Sequence, residues 1–183
     1  MQTFPVYTID SAPDQSKSAL QALQSAFGFV PNIAGAMATS PVLINSLVGL
    51  FQNVHGGSFT EPQIQVLLLT NAVTNASPWP VALHTALALK EGVDPADVQA
   101  IRERRAPKDV KLAALSTLAR ALIEKRGRLD DRDVDGFIGA GFGKDRLLEV
   151  IAVVAASTIT NYTGNVAKPP VEAALQEHVW ETR

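Results

Sequence analysis

An all-helical fold is predicted for this chain by three observations. Apolar residues recur every three or four positions almost throughout, with no sustained two-residue alternation bounded by hairpin turns. A capping residue followed by proline appears at Ser40-Pro41, Ser77-Pro78 and Asp94-Pro95. There the side-chain oxygen satisfies a free N–H of the first turn, and proline sits where an N–H would have no partner. Finally, 183 residues of which 46% are hydrophobic supply one sizeable core. A single domain over residues 1–183 is expected.

The elements follow in order. Asp14 to Phe27 carries Leu20, Leu23 and Phe27 on one face, and Gly28 is placed to end that helix in a left-handed conformation. A short helical piece is expected around Asn32 to Ala38. From Ser40-Pro41 a helix with Leu43, Leu47, Leu50 and Phe51 runs to the break at His55-Gly56-Gly57. Thr60 caps the next, Glu61 to Asn75, where Ile64, Val66, Leu67, Leu68, Leu69, Ala72 and Val73 leave little polar surface, so this helix is central. Ser77-Pro78 starts a helix ending near Gly92, and Asp94-Pro95 starts a short one to Arg102. Pro107 to Arg126 forms a long amphipathic helix, and Asp130 to Ala140 a shorter one before the breakers Gly141 and Gly143. A long buried helix covers Lys144 to Asn165. Pro169-Pro170 separates it from a C-terminal helix, within 166–183, that ends at Trp180. The two halves share no period.

Several function classes are excluded or disfavoured by composition. With no cysteine, the chain forms no disulfide and performs no thiol catalysis. A formal net charge of −2 with interspersed signs offers no basic field for nucleic acid, and Arg102, Arg104 and Arg105 with Glu103 read as a solvated helix end. The longest apolar stretch, Val150 to Ala156, is too short to span a bilayer, so no membrane partner is expected and a cytoplasmic location follows. Three histidines without a His-x-x-x-His or Glu-x-x-His pair leave no expected metal site, and no cofactor is expected.

One frame of residues carries more information than the rest: Gln65, then Ser77-Pro78-Trp79-Pro80, then His84. Its spacing resembles Glu-x11-Cys-x-x-Cys-x-x-x-His, the signature of the AhpD-like alkylhydroperoxidases within the carboxymuconolactone decarboxylase family. Gln65 stands at the glutamate position, Ser77 and Pro80 at the two cysteines, and His84 alone keeps its identity. Phe27-Gly28-Phe29-Val30-Pro31-Asn32 with Ser40-Pro41 is similar to the family's G-x-V-P-N and S-P lead-in, and His84 to Val93 resembles its helix after the histidine. The match runs from about Leu20 to Asn165. The resemblance implies the AhpD-like helical fold and a homo-oligomer, trimer or hexamer. It also implies a retained site residue at His84, since the family's decarboxylases lack the cysteine pair but keep this histidine.

In such a frame the chemistry is sharply reduced. A serine hydroxyl is many units less acidic than a thiol, and a helix dipole contributing about 0.3–1 kcal/mol moves a pKa by less than one unit. Ser77 reads as the helix cap, taking the Trp79 N–H, rather than as a nucleophile. Gln65 keeps hydrogen bonding but cannot relay a proton as a carboxylate does. His84 lies among Val81, Leu83, Ala86 and Leu87, surroundings that lower its pKa and keep it neutral. It is either the catalytic or binding group of a pocket or a core histidine satisfied by Gln65 or a backbone carbonyl. His55 reads as favourable charge at a helix end or a loop residue, and His178 as surface. Asn161, Tyr162 and Asn165 either line a pocket or mark the last helix emerging into solvent. The expected set is therefore His84 as the reactive group, with Gln65, Ser77, Trp79 and Asn161 contacting a small organic ligand. The alternatives are a non-redox acid–base enzyme using His84 and a structural protein without an active site.

Overall fold

Residues 4–181 of a computed structural model are described, and 1–3 and 182–183 of the expected domain lie outside them. They form α1 (Asp14–Phe27), α2 (Asn32–Met37), α3 (Pro41–His55), α4 (Glu61–Thr74), α5 (Pro78–Lys90), α6 (Pro95–Arg102), α7 (Val110–Glu124), α8 (Asp131–Gly139), α9 (Lys144–Ala167) and a 3-10 helix (Ala173–His178). No strand occurs among the described residues.

Local chemistry sets most boundaries. Gly28 ends α1 at φ +82°, with its N–H on the Gln24 carbonyl at 2.8 Å. Ser40 Oγ accepts the Leu43 N–H at 3.3 Å, and the Asp94 carboxylate accepts that of Ala96 at 2.7 Å. Two expectations are corrected. α7 starts at Val110 rather than Pro107, because Asp109 is its cap, accepting the Leu112 N–H at 2.9 Å. The Asp97 carboxylate meanwhile takes the Lys108 N–H at 2.6 Å and holds the segment before α7 outside the helix. The C-terminal helix is a six-residue 3-10 turn that stops before Trp180. Arg102 donates to the carbonyls of His178 at 3.0 Å and Val179 at 3.2 Å, tying that segment to α6, and the Trp180 indole N–H returns to the Arg102 carbonyl.

α4 and α9 form the centre. Ile64, Val66, Leu67, Leu68 and Leu69 are all fully buried, because α4 is covered by α5, α6, α7 and α9. Each such side chain contributes about 1.5–3 kcal/mol through burial. By length and composition α9 is long enough and apolar enough to cross a membrane, more than the stretch Val150–Ala156 suggested. It packs against α2, α3, α4, α5 and α7, burying Val150, Val153 and Ala156, and so serves as a core helix. Its opposite face leaves Leu148, Ile151, Tyr162 and Val166 exposed.

The corner between α4 and α5 positions the site. Ala76 adopts φ +48°, and the Ser77 N–H closes on the Ala72 carbonyl at 3.0 Å. That tight reversal lays α5 back along α4, so that mid-helix residues of the two face each other.

Candidate functional site

A cavity of about 460 Å³ lies among α1, α3, α4 and α5, with small contributions from α2 and α9. Its walls are mostly apolar, from Leu23 and Phe27 on α1, Leu47 and Phe51 on α3, and Trp79 and Leu83 on α5. Gln65 on α4 and His84 on α5 both line it, and both are almost wholly buried.

His84 Nδ1 lies 3.0 Å from Gln65 Oε1. A carbonyl oxygen only accepts, so Nδ1–H is the donor and Nε2 carries the lone pair. No protein group among the described residues bonds Nε2. Burial, reinforced by the nearby His55, pushes the His84 imidazole down to about 3. The ring is neutral at pH 7 and offers its Nε2 as an acceptor.

Trp79 is part of the cavity wall. Its indole N–H donates to Glu172 Oε2 at 3.0 Å, and Glu172 Oε1 accepts the Asn32 N–H at 2.6 Å. One carboxylate thereby joins the start of α2 to the wall tryptophan, and Asn32 Nδ2 reaches the Pro170 carbonyl at 3.0 Å.

Two residues of the expected ligand set are placed elsewhere. Ser77 is fully buried and makes no side-chain cap bond; its hydroxyl donates to the Asn161 carbonyl at 3.0 Å. Pro78 and Pro80 remove two of the first-turn N–H groups, so little is left to cap, and α9 passes at Gly164 close enough to receive the hydroxyl. Asn161 is fully buried on the core side of α9, with Nδ2 donating to Ser157 Oγ at 3.2 Å and Oδ1 without a partner among the described residues. Neither Ser77 nor Asn161 lines the cavity, whereas Thr160 does. Tyr162 is exposed, and Asn165 donates to the Asn75 carbonyl at 2.9 Å.

Sequence reasoning missed a polar pair of the cavity. His55, the last residue of α3, and Glu61, the first of α4, both line it and pair at 2.8 Å. The signal was present: Glu61 and Gln65 are four apart and share one helix face. Lys90 and Glu91, at the end of α5, also contribute. Among the described residues no group of three His, Asp or Glu is placed to hold a metal ion.

The helices stack around a buried Gln65–His84 pair, with His84 midway along the proline-opened α5. No family model matches the chain, and no curated protein matches it. Solved structures do. An alkylhydroperoxidase AhpD core protein from Ralstonia eutropha JMP134, an uncharacterized peroxidase-related protein, is 16% identical with a TM-score of 0.82, over 94% of this chain and 93% of that one. The debrominase Bmp8 is 18% identical with a TM-score of 0.78, over 95% and 94%. A cysteine-to-alanine variant of Bmp8 in complex with 2,3,4-tribromopyrrole is 17% identical with a TM-score of 0.77, over 97% and 95%. An uncharacterized peroxidase-related protein from Silicibacter sp. TM1040 is 17% identical with a TM-score of 0.78, over 95% and 92%. This chain therefore has the AhpD-like fold. It is a cysteine-free version, without the sulfur that thiol peroxidase chemistry needs.

Proposed function

We propose that the cavity binds a small, largely apolar organic molecule that donates an O–H or N–H, of phenol or pyrrole type, to His84 Nε2. The observation carrying this reading is a neutral imidazole with an unpartnered lone pair in the wall of a mostly apolar cavity. Sites of a few hundred cubic ångströms with few polar groups suit such ligands. The tribromopyrrole held by the cysteine-to-alanine variant of Bmp8 is a ligand of this kind. A decarboxylase-like role with His84 as the base is less well supported. An imidazole whose conjugate acid is held near 3 is a weak base at neutral pH, far from the matched value that general-base catalysis favours.

Calorimetric titration tests the binding reading. Wild-type protein should bind 4-chlorophenol about tenfold more tightly than does His84→Phe, the worth of one hydrogen bond to a buried acceptor. For wild type, 4-chloroanisole, similar in shape but lacking the O–H, should be weakened by a similar factor. Equal affinity for the two compounds would remove the proposed role of Nε2.

We infer that the chain also assembles with copies of itself, as a trimer or hexamer. The support is the line of Leu148, Ile151, Tyr162 and Val166 along the outer face of α9, spaced by three, eleven and four residues and all exposed. Light scattering at micromolar concentration should give an oligomer for wild type and a smaller species for Leu148→Glu with Tyr162→Glu. A monomeric wild type would refute the assembly.

A further inference from the structure

We propose that His55 and Glu61 form a proton-transfer dyad at the cavity mouth, acting on small apolar ketones by moving a proton from the carbon beside the carbonyl. This rests on the reading of the cavity as a binding site and goes beyond it, because it assigns chemistry to residues outside the Gln65–His84 pair.

The two histidines of the cavity differ in one decisive respect. Each has Nδ1 engaged, at 3.0 Å on Gln65 for His84 and at 2.8 Å on Glu61 for His55. Each partner oxygen accepts, so both rings carry a proton on Nδ1, and neither Nε2 has a protein partner among the described residues. An amide cannot balance an imidazolium, and His84 is 4% exposed. A carboxylate can, and the His55 side chain is 37% exposed. Of the two, only His55 has a carboxylate beside it to balance a positive charge. His84 is the ring that stays an acceptor.

An exposed ion pair is ordinarily worth little and means little. Here the pair is built into the wall and held from both sides. His55 stacks on Phe51, another wall residue, with ring centroids 5.8 Å apart and planes 23° from parallel. The loop joining His55 to α4 is pinned by Glu149 of α9, whose carboxylate accepts the Ser58 N–H at 2.7 Å and the Ser58 hydroxyl at 2.5 Å. The Thr60 N–H then donates to Gln63 Oε1 at 3.1 Å, fixing the first turn of α4 and with it Glu61. An imidazole oriented by a carboxylate in the wall of a substrate space is an arrangement that general-base catalysis uses.

The step balances without a co-reactant. His55 Nε2 takes a proton from the carbon beside the carbonyl, the C–H electron pair becomes the new carbon–carbon double bond, and the carbonyl π pair moves to oxygen. The imidazolium, its charge matched by Glu61, returns a proton to that oxygen. The product enol has an O–H to donate to His84 Nε2, and reversal restores the ketone. Glu61 acts as a positioning residue throughout.

Phenylacetone in D2O, followed by proton NMR, is the probe. Wild-type protein should exchange the methylene protons about a hundredfold faster than free imidazole at equal concentration. His55→Gln and His55→Asn, with unchanged circular dichroism, should fall to background while binding phenylacetone within twofold of wild type. Glu61→Gln should lower kcat about tenfold and leave KM unchanged, a split that a purely structural role would not produce. Binding without exchange by wild type, or full exchange by both His55 variants, would overturn the dyad while leaving the binding site intact. If wild type bound neither phenylacetone nor 4-chlorophenol, the cavity reading would fall and the dyad with it.

Discussion

On going from pH 7 to pH 4, wild-type protein should lose about 3 kcal/mol more stability than the His84→Gln variant. His84 is depressed from 6.5 to about 3 in the folded chain, first by burial and then by His55. In the unfolded chain the imidazole takes up its proton below about 6.5, while in the folded chain it stays neutral until about 3. The unfolded state therefore binds more protons throughout that window, and each pH unit of descent costs about 1.4 kcal/mol. The cost is absent above pH 6.5, grows as pH falls, and is complete near pH 3. Glutamine keeps a hydrogen-bonding group beside Gln65 but does not titrate, so only the wild type carries this slope. Urea unfolding at half-unit pH intervals reads the difference directly. Parallel stability curves for the two proteins would mean that His84 is solvated well enough to protonate in place.

That acid sensitivity is the counterpart of the proposed binding role. The desolvation that makes the ring reluctant to charge is what keeps Nε2 an acceptor over the physiological range. A ligand with an O–H or N–H satisfies that nitrogen without asking it to ionise. The two cavity histidines differ in their Nδ1 partners, an amide oxygen for His84 and a carboxylate for His55.

Helix positions were legible in the chain because cap, proline and glycine signals are local. Asp14–Phe27, Pro95–Arg102 and the α3 break at His55 all follow from residues within a turn of the boundary. Errors came where distant groups compete with local ones. The Ser77 hydroxyl had two possible uses, and the nearby one lost to a carbonyl 84 residues away because α9 crosses there at Gly164. The C-terminal segment had helical spacing, yet side-chain bonds from Arg102 hold it down as a 3-10 turn and a tail. In the cavity wall, Gln65, Trp79 and His84 were singled out by the resemblance of their frame to the Glu-x11-Cys-x-x-Cys-x-x-x-His signature. His55 was not, because its placement depends on how α3 ends against the first turn of α4, and nothing within a few residues of His55 encodes that meeting.

Replacing Trp79 by alanine should cost about 3–5 kcal/mol of stability, the range for emptying a buried aromatic site. The indole is 3% exposed, packs with Leu83, Ile33 and their neighbours in the cluster formed by α1, α2, α3 and α5, and forms part of the cavity wall. Its loss adds the indole's volume to the existing cavity, which has no reason to collapse because α3 and α4 hold its other walls. It also removes the N–H that Glu172 Oε2 accepts at 3.0 Å, loosening the link between α5 and the C-terminal segment. Trp79→Phe separates the two contributions. It keeps most of the packing but not the bond to a charged acceptor, and should cost about 1.5–3 kcal/mol. For a chain of this size a 4 kcal/mol loss lowers the melting temperature by about 8–16 °C, readily seen by calorimetry. The same alanine variant should bind 4-chlorophenol less tightly, since one apolar wall is gone. A loss below about 1 kcal/mol for Trp79→Ala would mean that the wall refills from its surroundings, and the cavity would then be a soft feature of the fold rather than a preformed site.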